Sequence, residues 1–180
     1  MSDTRTQILD LAERAVRLRG YHAVSFRDLA DELGIKSASI HYHFRHKEDL
    51  GLALVDRYAE RIGASLGAPG DHPWPDALAM FCQVYRDALQ KSDLQCLCGM
   101  LAAESPGLPD RINARVSRFF RENLDWLVAC MPKDFPDKDE AALAIQCQLQ
   151  GAMTVAVSLQ DPGILDTASA RICAEASVDA

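Results

Sequence analysis

Between Ser25 and Phe44 the sequence carries two short helical patterns separated by a three-residue turn, and few folds accommodate that spacing. Phe26, Leu29, Ala30 and Leu33 repeat at i, i+3, i+4 and i+7, the stripe of an amphipathic helix. Ser25 is placed to cap it, Asp28 sits where the helix dipole favours an acid, and Gly34 is a natural stop. After Gly34-Ile35-Lys36 a third helix is expected to start at Ser37, with the Ser37 hydroxyl as its cap. At about 100° per residue, Ile40 and Phe44 fall within about 40° of each other, while Ala38, Ser39, His41 and Tyr42 occupy the opposite side. The first pair reads as core. The second group combines small side chains, which permit close approach, with hydroxyl, imidazole and phenol groups, which reach base edges and phosphates. Helices of about eight and seven residues joined by a glycine-containing turn make a helix-turn-helix, whose second helix enters the major groove.

A preceding helix over about 4–19 is expected to start with a capping box from Thr4 and Gln7. It buries Ile8, Leu11, Ala12 and Ala15 opposite Asp10, Glu13, Arg14 and Arg17, and ends at Gly20 in a left-handed conformation.

The net charge of −7 opposes phosphate binding as a whole-chain property, but its distribution does not. Residues 1–60 hold nine Lys+Arg against ten Asp+Glu, whereas the remaining residues hold ten against sixteen. From Lys36 to Lys47 there is no acid, and Lys36, Arg45, Lys47, His41, His43 and His46 form a basic patch. A solvated, incidentally basic helix face would account for the patch taken alone. The adjoining helix-turn-helix favours DNA.

The stretch RGYHAVSFRDLADELGIKSASIHYHFRHKEDL, residues 19–50, resembles the DNA-binding signature of TetR-type regulators, and the preceding helix matches as well. The resemblance implies an all-α fold with a three-helix DNA-binding domain at residues 1–46. A fourth helix would lead into a ligand-binding and dimerisation domain at 47–180, a helical bundle, and a homodimer would bind a roughly two-fold double-stranded DNA operator. By the same resemblance Lys47 matches a basic residue that meets a phosphate, and Arg27 and Tyr42 match polar positions near DNA. Where family members most often carry tyrosine in the recognition helix, this chain has His41, followed by Tyr42. The expected DNA-facing set is Arg27, Lys36, Ser37, Ala38, Ser39, His41, Tyr42, His43 and Lys47. His43 lies about 60° from Ile40, so a packing role competes with DNA contact there. His41 and His43 point about 200° apart and cannot share a metal as an i, i+4 pair does, so no metal site is expected.

Further helices are expected at about 47–67, 73–91, 95–104, 109–131 and 138–160, with a weak ninth after Asp161-Pro162-Gly163. The breakers between them are Gly67-Ala68-Pro69-Gly70, Ser105-Pro106-Gly107-Leu108-Pro109 and the stretch from Pro132 to Asp137. No internal repeat, low-complexity tract or strand-like alternation interrupts the pattern. The eighth helix interleaves Ala141, Ala142, Ala144, Gly151, Ala152 and Ala156 with Leu143, Ile145, Leu149 and Met153, which suits close packing against a partner subunit. Phe81, Tyr85, Met100, Phe119 and Trp126 are candidates for a small-molecule effector pocket among helices four to seven, with simple core packing as the competing assignment.

The six cysteines are scattered through helical sequence and read as reduced thiols; no apolar run approaches a membrane span, and a cytoplasmic location without a membrane partner is expected. Cys96 and Cys98 stand at the expected start of the sixth helix, where the dipole favours thiolate. The segment is similar to the corresponding start in TetR-type regulators that sense electrophiles, although buried, inert thiols are the favoured assignment. No GxGxxG, HExxH or GxxxxGK[ST] motif occurs, and a thiol-dependent enzyme built on Cys96 is the enzymatic alternative. A non-sensing architectural DNA-binding protein would not require the acidic second half. The sequence thus points to a non-enzymatic repressor, without cofactor, released by a small molecule or an electrophile.

Overall fold

The structure is a computed structural model that describes residues 3–90 and 93–178. Among the described residues there are nine α-helices and no strand. They are α1 (Thr4–Arg19), α2 (Phe26–Leu33), α3 (Ser37–His43), α4 (Lys47–Leu66), α5 (Trp74–Gln90), α6 (Leu97–Ala103), α7 (Asp110–Cys130), α8 (Lys138–Leu159) and α9 (Gly163–Val178), with a 3-10 turn at Ser105–Gly107. Each expected helix is present to within a few residues; Lys91, where the fifth was expected to end, lies outside the described residues.

Three local expectations are corrected. The capping box at Thr4 is not formed: Asp3 is the N-cap, its carbonyl accepts from the Gln7 N–H at 3.1 Å, and Thr4 is already helical. Ser37 is likewise the first helical residue rather than the cap, because the extended backbone sits at Lys36. Gly20 has the positive φ of +85° that favours glycine, but its ψ of 163° leads the chain out extended instead of into a left-handed turn. By contrast, Ser25 caps α2 as expected, accepting the Asp28 N–H at 3.1 Å, and Gly34 closes α2 in the left-handed region.

The chain forms two compact units. The first contains residues up to Glu60 together with Leu97–Phe119. Its core is built from the stripe that the sequence displays on α1 (Ile8, Ala12, Ala15), on α2 (Leu29, Ala30) and on α3 (Ile40), with Phe44 beside it and Leu50, Leu54 and Tyr58 of α4. Leu11 is half-buried, and Leu9 and Val16 are buried in addition. Arg57 ties α4 to α1, donating to Asp10 at 2.7 Å and to the buried Glu13 at 3.0 Å. Gly51 allows close approach, since a Cβ there would stand 2.5 Å from Ile112 Cδ1 and 3.0 Å from Tyr21 Cε2.

The second unit comprises Arg61–Cys96 and the chain from Phe120 onward. Helix α5 buries Trp74, Leu78, Phe81, Cys82 and Tyr85; α8 buries Ala142, Leu149, Met153 and Ala156; α9 buries Leu165 and Ile172. Arg86 on α5 pairs with Asp166 on α9 at 3.0 Å. Helix α8 also corrects the hydropathy reading: its 22 residues are long and apolar enough, by length and composition, to cross a membrane. Gln146, Gln148 and Gln150 interrupt it, and Gln146 is buried against Tyr85 rather than turned outward.

Candidate nucleic-acid interface

Helix α3 is held from beneath and open above. Ile40 and Phe44 are buried, while Lys36, Ser37, Ala38, His41 and Tyr42 are exposed, Tyr42 to 86%. This is the division expected from a helix with one apolar side, and it leaves hydroxyl, imidazole and phenol groups facing solvent. Ser39 is half-buried. So is His43, whose ring meets Tyr42 edge-on at 5.2 Å. His41 packs edge-on against Phe26 at 5.0 Å, which fixes its imidazole at the α2–α3 junction. Arg27 is exposed one turn from Asp31, at 3.9 Å, a separation in a solvated pair that leaves the guanidinium available to a phosphate.

Lys47 is less open than the other cations. Its ammonium donates to the His22 carbonyl at 3.2 Å and stands 4.5 Å over the Tyr21 ring. Burial lowers its pKa, and the Glu104 carboxylate opposes that shift. Burial also pushes the Tyr21 phenol up to about 12, with Glu48 adding in the same direction. Two cations beside α3 stand outside the DNA-facing set expected from the sequence, although Arg45 belongs to the basic patch. Arg45 is exposed between α3 and α4. Arg5 of α1 lies with its guanidinium 5.3 Å from the Phe44 ring centroid, a proximity that no local pattern in the sequence displays.

The α1–α2 connection is gripped from a distant part of the chain. Both oxygens of Glu104, just after α6, accept the Tyr21 backbone N–H, at 3.0 and 3.1 Å. The carboxylate fits because residue 20 is glycine; a Cβ there would collide with it. Three residues further on, Gly107 stands close to His22, where an added Cβ would be 3.1 Å from Nε2.

The five residues considered for an effector pocket are divided. Phe81, Tyr85 and Trp126 lie together in the second unit, where Phe81 stacks on Trp126 at 5.9 Å and meets Tyr85 at 5.8 Å. Trp126 donates to the Gly67 carbonyl at 3.0 Å. Met100 and Phe119 belong to the first unit, and Phe119 packs 5.7 Å from Tyr58. Sequence reasoning missed two amides in the second unit. Gln146 donates to the Tyr85 hydroxyl, while its carbonyl oxygen and both polar atoms of Gln150 are buried without a protein partner among the described residues. Cys96 and Cys98 are both buried, and α6 begins one residue after Cys96.

An exposed polar α3 on a buried apolar footing, following α2 across a glycine turn, defines a helix-turn-helix DNA-binding protein, and the comparisons with known proteins agree. Residues 8–54 match the family model for bacterial regulatory proteins of the tetR family. An uncharacterised HTH-type transcriptional regulator of Lactococcus lactis subsp. lactis is 24% identical over 93% of this chain and 90% of its own. The HTH-type transcriptional regulator TtgR of Pseudomonas putida is 38% identical, but over 32% of this chain and 28% of its own. A TetR transcriptional regulator from Legionella pneumophila superposes with a TM-score of 0.85 at 29% identity, covering 96% of both chains. One from Agrobacterium tumefaciens superposes at 0.87 with 24% identity over 95% of this chain and 96% of that one, a likeness of fold. The chain belongs to the TetR family and is a DNA-binding transcriptional regulator.

Proposed function

We propose that this regulator is a repressor that binds a near-palindromic operator as a homodimer and leaves it when a small organic molecule occupies its second unit. Residues 1–46 serve as the DNA-binding domain in this reading, and 47–180 as the ligand-binding and dimerisation domain. Lys36, Ser37, Ala38, Ser39, His41 and Tyr42 line the groove-facing side, with Arg27, His43 and Lys47 at its margins.

The observation that carries the regulatory part is the Glu104 contact with Tyr21. It joins a segment outside the helix-turn-helix to the backbone on which α2 and α3 are hung, so a displacement of that segment reaches the reading helix through a charge-assisted hydrogen bond. The effector is assigned to the aromatic group Phe81, Tyr85 and Trp126 with the adjoining Gln146 and Gln150. The buried Gln146 carbonyl oxygen and Gln150 amide, without protein partners among the described residues, suit a ligand that combines an apolar body with hydrogen-bonding groups. Cys96 and Cys98, both buried, act as packing groups.

Dimerisation is assigned to α8, whose outer side exposes Leu143, Val155 and Leu159 beside Gly151. A partner's helix would remove that apolar face from water, and a homodimer interface uses one patch twice.

The test is selection of bound fragments from the source genome, followed by footprinting and a compound screen. Two half-sites with centres about 34 Å apart or somewhat more are expected, as is an effector that lowers operator affinity roughly 5- to 150-fold. A single half-site bound by a monomer would refute the dimer. Compounds that bind the second unit tightly and leave operator affinity unchanged would refute the sensing.

A further inference from the structure

Helices α5 and α9 run past each other in the second unit with two thiols at their contact. Cys82 Sγ and Cys173 Sγ are 4.0 Å apart and come from positions 91 residues apart in sequence. The pair is held in register by its neighbours. One turn along α5, Arg86 forms an ion pair with Asp166 of α9 at 3.0 Å, and Ser169 stands one turn before Cys173 on α9, beside Cys82. Ser169 is itself fixed by donating to the Leu165 carbonyl at 2.7 Å. Two sulfurs in contact across a defined helix pair need only a rotamer change and a small approach of the helices to reach bonding distance, about 2.05 Å.

The two thiols differ in access. Cys82 is 1% exposed, whereas Cys173 is half-buried. Burial, reinforced by Cys173, pushes the Cys82 thiol up to about 12 and keeps it protonated, with Arg86 and Ser169 opposing. Reaction with a dissolved oxidant therefore starts at Cys173, and Cys82 is the group waiting beside it.

We propose that Cys82 and Cys173 are a redox modification site, forming an intramolecular disulfide when the protein meets a peroxide and so joining α5 covalently to α9. In the first step the Cys173 sulfur attacks one peroxide oxygen, the O–O bond breaks, and a sulfenic acid and one water form. In the second, the Cys82 sulfur attacks the Cys173 sulfur and the S–O bond breaks. The leaving hydroxide takes the Cys82 proton as a second water. Two thiols lose two hydrogens and two electrons, and one peroxide is reduced to two waters. The disulfide closes a long loop, so the oxidised chain resists unfolding more than the reduced one, and a thiol reductant reverses the change.

The test uses the full chain and a variant combining Cys96→Ala, Cys98→Ala, Cys130→Ala and Cys147→Ala, which retains only the proposed pair. Each is treated with hydrogen peroxide and followed by intact mass, non-reducing peptide mapping and thermal melting. The expected result is loss of two hydrogens per chain and a peptide joining Cys82 to Cys173. A rise in Tm on the order of 5 °C, abolished by dithiothreitol, should accompany them. Cys82→Ser should stop the oxidation of Cys173 at oxygen addition, and Cys173→Ser should leave Cys82 a free thiol. If peptide mapping of the wild-type chain finds oxygen added to Cys173 with Cys82 still reduced, or either thiol joined to another cysteine, the proposal is overturned. That mapping is decisive even where the fourfold variant does not fold.

Discussion

Helices α3 and α8 each leave one side in solvent, and the two sides have opposite chemistry. On α3 the exposed positions are Ser37, Ala38, His41 and Tyr42 beside Lys36; on α8 they include Leu143, Val155 and Leu159. A face that meets DNA confronts phosphates and base edges that are the same in every cell, so small and polar residues at set positions recur. A face that meets its own copy needs only self-complementarity, which many apolar combinations satisfy. Similarity to known proteins is uneven along the chain: the family match covers residues 8–54, and the 38% identity to TtgR spans 58 residues, whereas full-length identity to the Lactococcus lactis relative is 24%.

The contrast is broken most forcefully by placing charge on the apolar face. The pair Leu143→Glu and Leu159→Glu should convert a dimer into a monomer in sedimentation. Losing the second half-site should then lower operator affinity about 100-fold or more. The same face offers a milder probe, because Cys147 is exposed on α8 within the single chain. In the dimer it should alkylate more slowly than in the monomeric variant.

What could be read in advance follows the same division. The α2–turn–α3 unit was legible because its determinants are local: the Ser25 cap, the Gly34 stop and the Ile40 and Phe44 spacing all act within a few residues. The misplacements at Thr4 and Ser37 are shifts of one residue, in which a neighbour's backbone, at Asp3 and at Lys36, took the extended conformation that ends a helix. The Glu104 contact with Tyr21 and the position of Arg5 over Phe44 were not legible, since each joins residues far apart in sequence and leaves no periodic trace. Aromatic and sulfur side chains mark effector candidates in the sequence, whereas nothing local distinguishes the buried amides of Gln146 and Gln150 from the exposed Gln148 on the same helix.

Within the first unit, Gly51→Val should be the most damaging substitution away from the DNA. The added branches enter space held by Ile112 and Tyr21, and overpacking of this kind costs about 1–3 kcal/mol, read as a lower denaturant midpoint with an unchanged m-value. Glu104→Ala should cost a comparable or smaller amount, about 1–2 kcal/mol, by removing the acceptor of the Tyr21 N–H. Its informative effect is on regulation. The variant should still bind the operator but respond less to effector, and a full response would remove Glu104 from the coupling.

A gentler probe is alkaline pH. The Tyr21 phenol is raised from 10.0 to about 12 in the folded chain, so folding favours its protonated form. That contribution is complete below the unfolded value of 10.0 and is lost as pH rises toward about 12. Tyr21→Phe should flatten this part of the stability profile, measured by denaturant titration at successive pH values.

In the proposed reading, the exposed side of α3 reads base sequence while the cations around it supply affinity without discrimination. The most direct measurement is equilibrium binding of wild type, Tyr42→Ala and Lys36→Ala to the selected operator and to a scrambled duplex across a salt series. Tyr42→Ala should weaken operator binding by about 1–3 kcal/mol and leave the scrambled duplex nearly unaffected. Lys36→Ala should weaken both and make the salt slope shallower by about one unit. Equal losses on both duplexes for Tyr42→Ala, or no loss on either in a folded protein, would contradict the assignment of α3 as the reader.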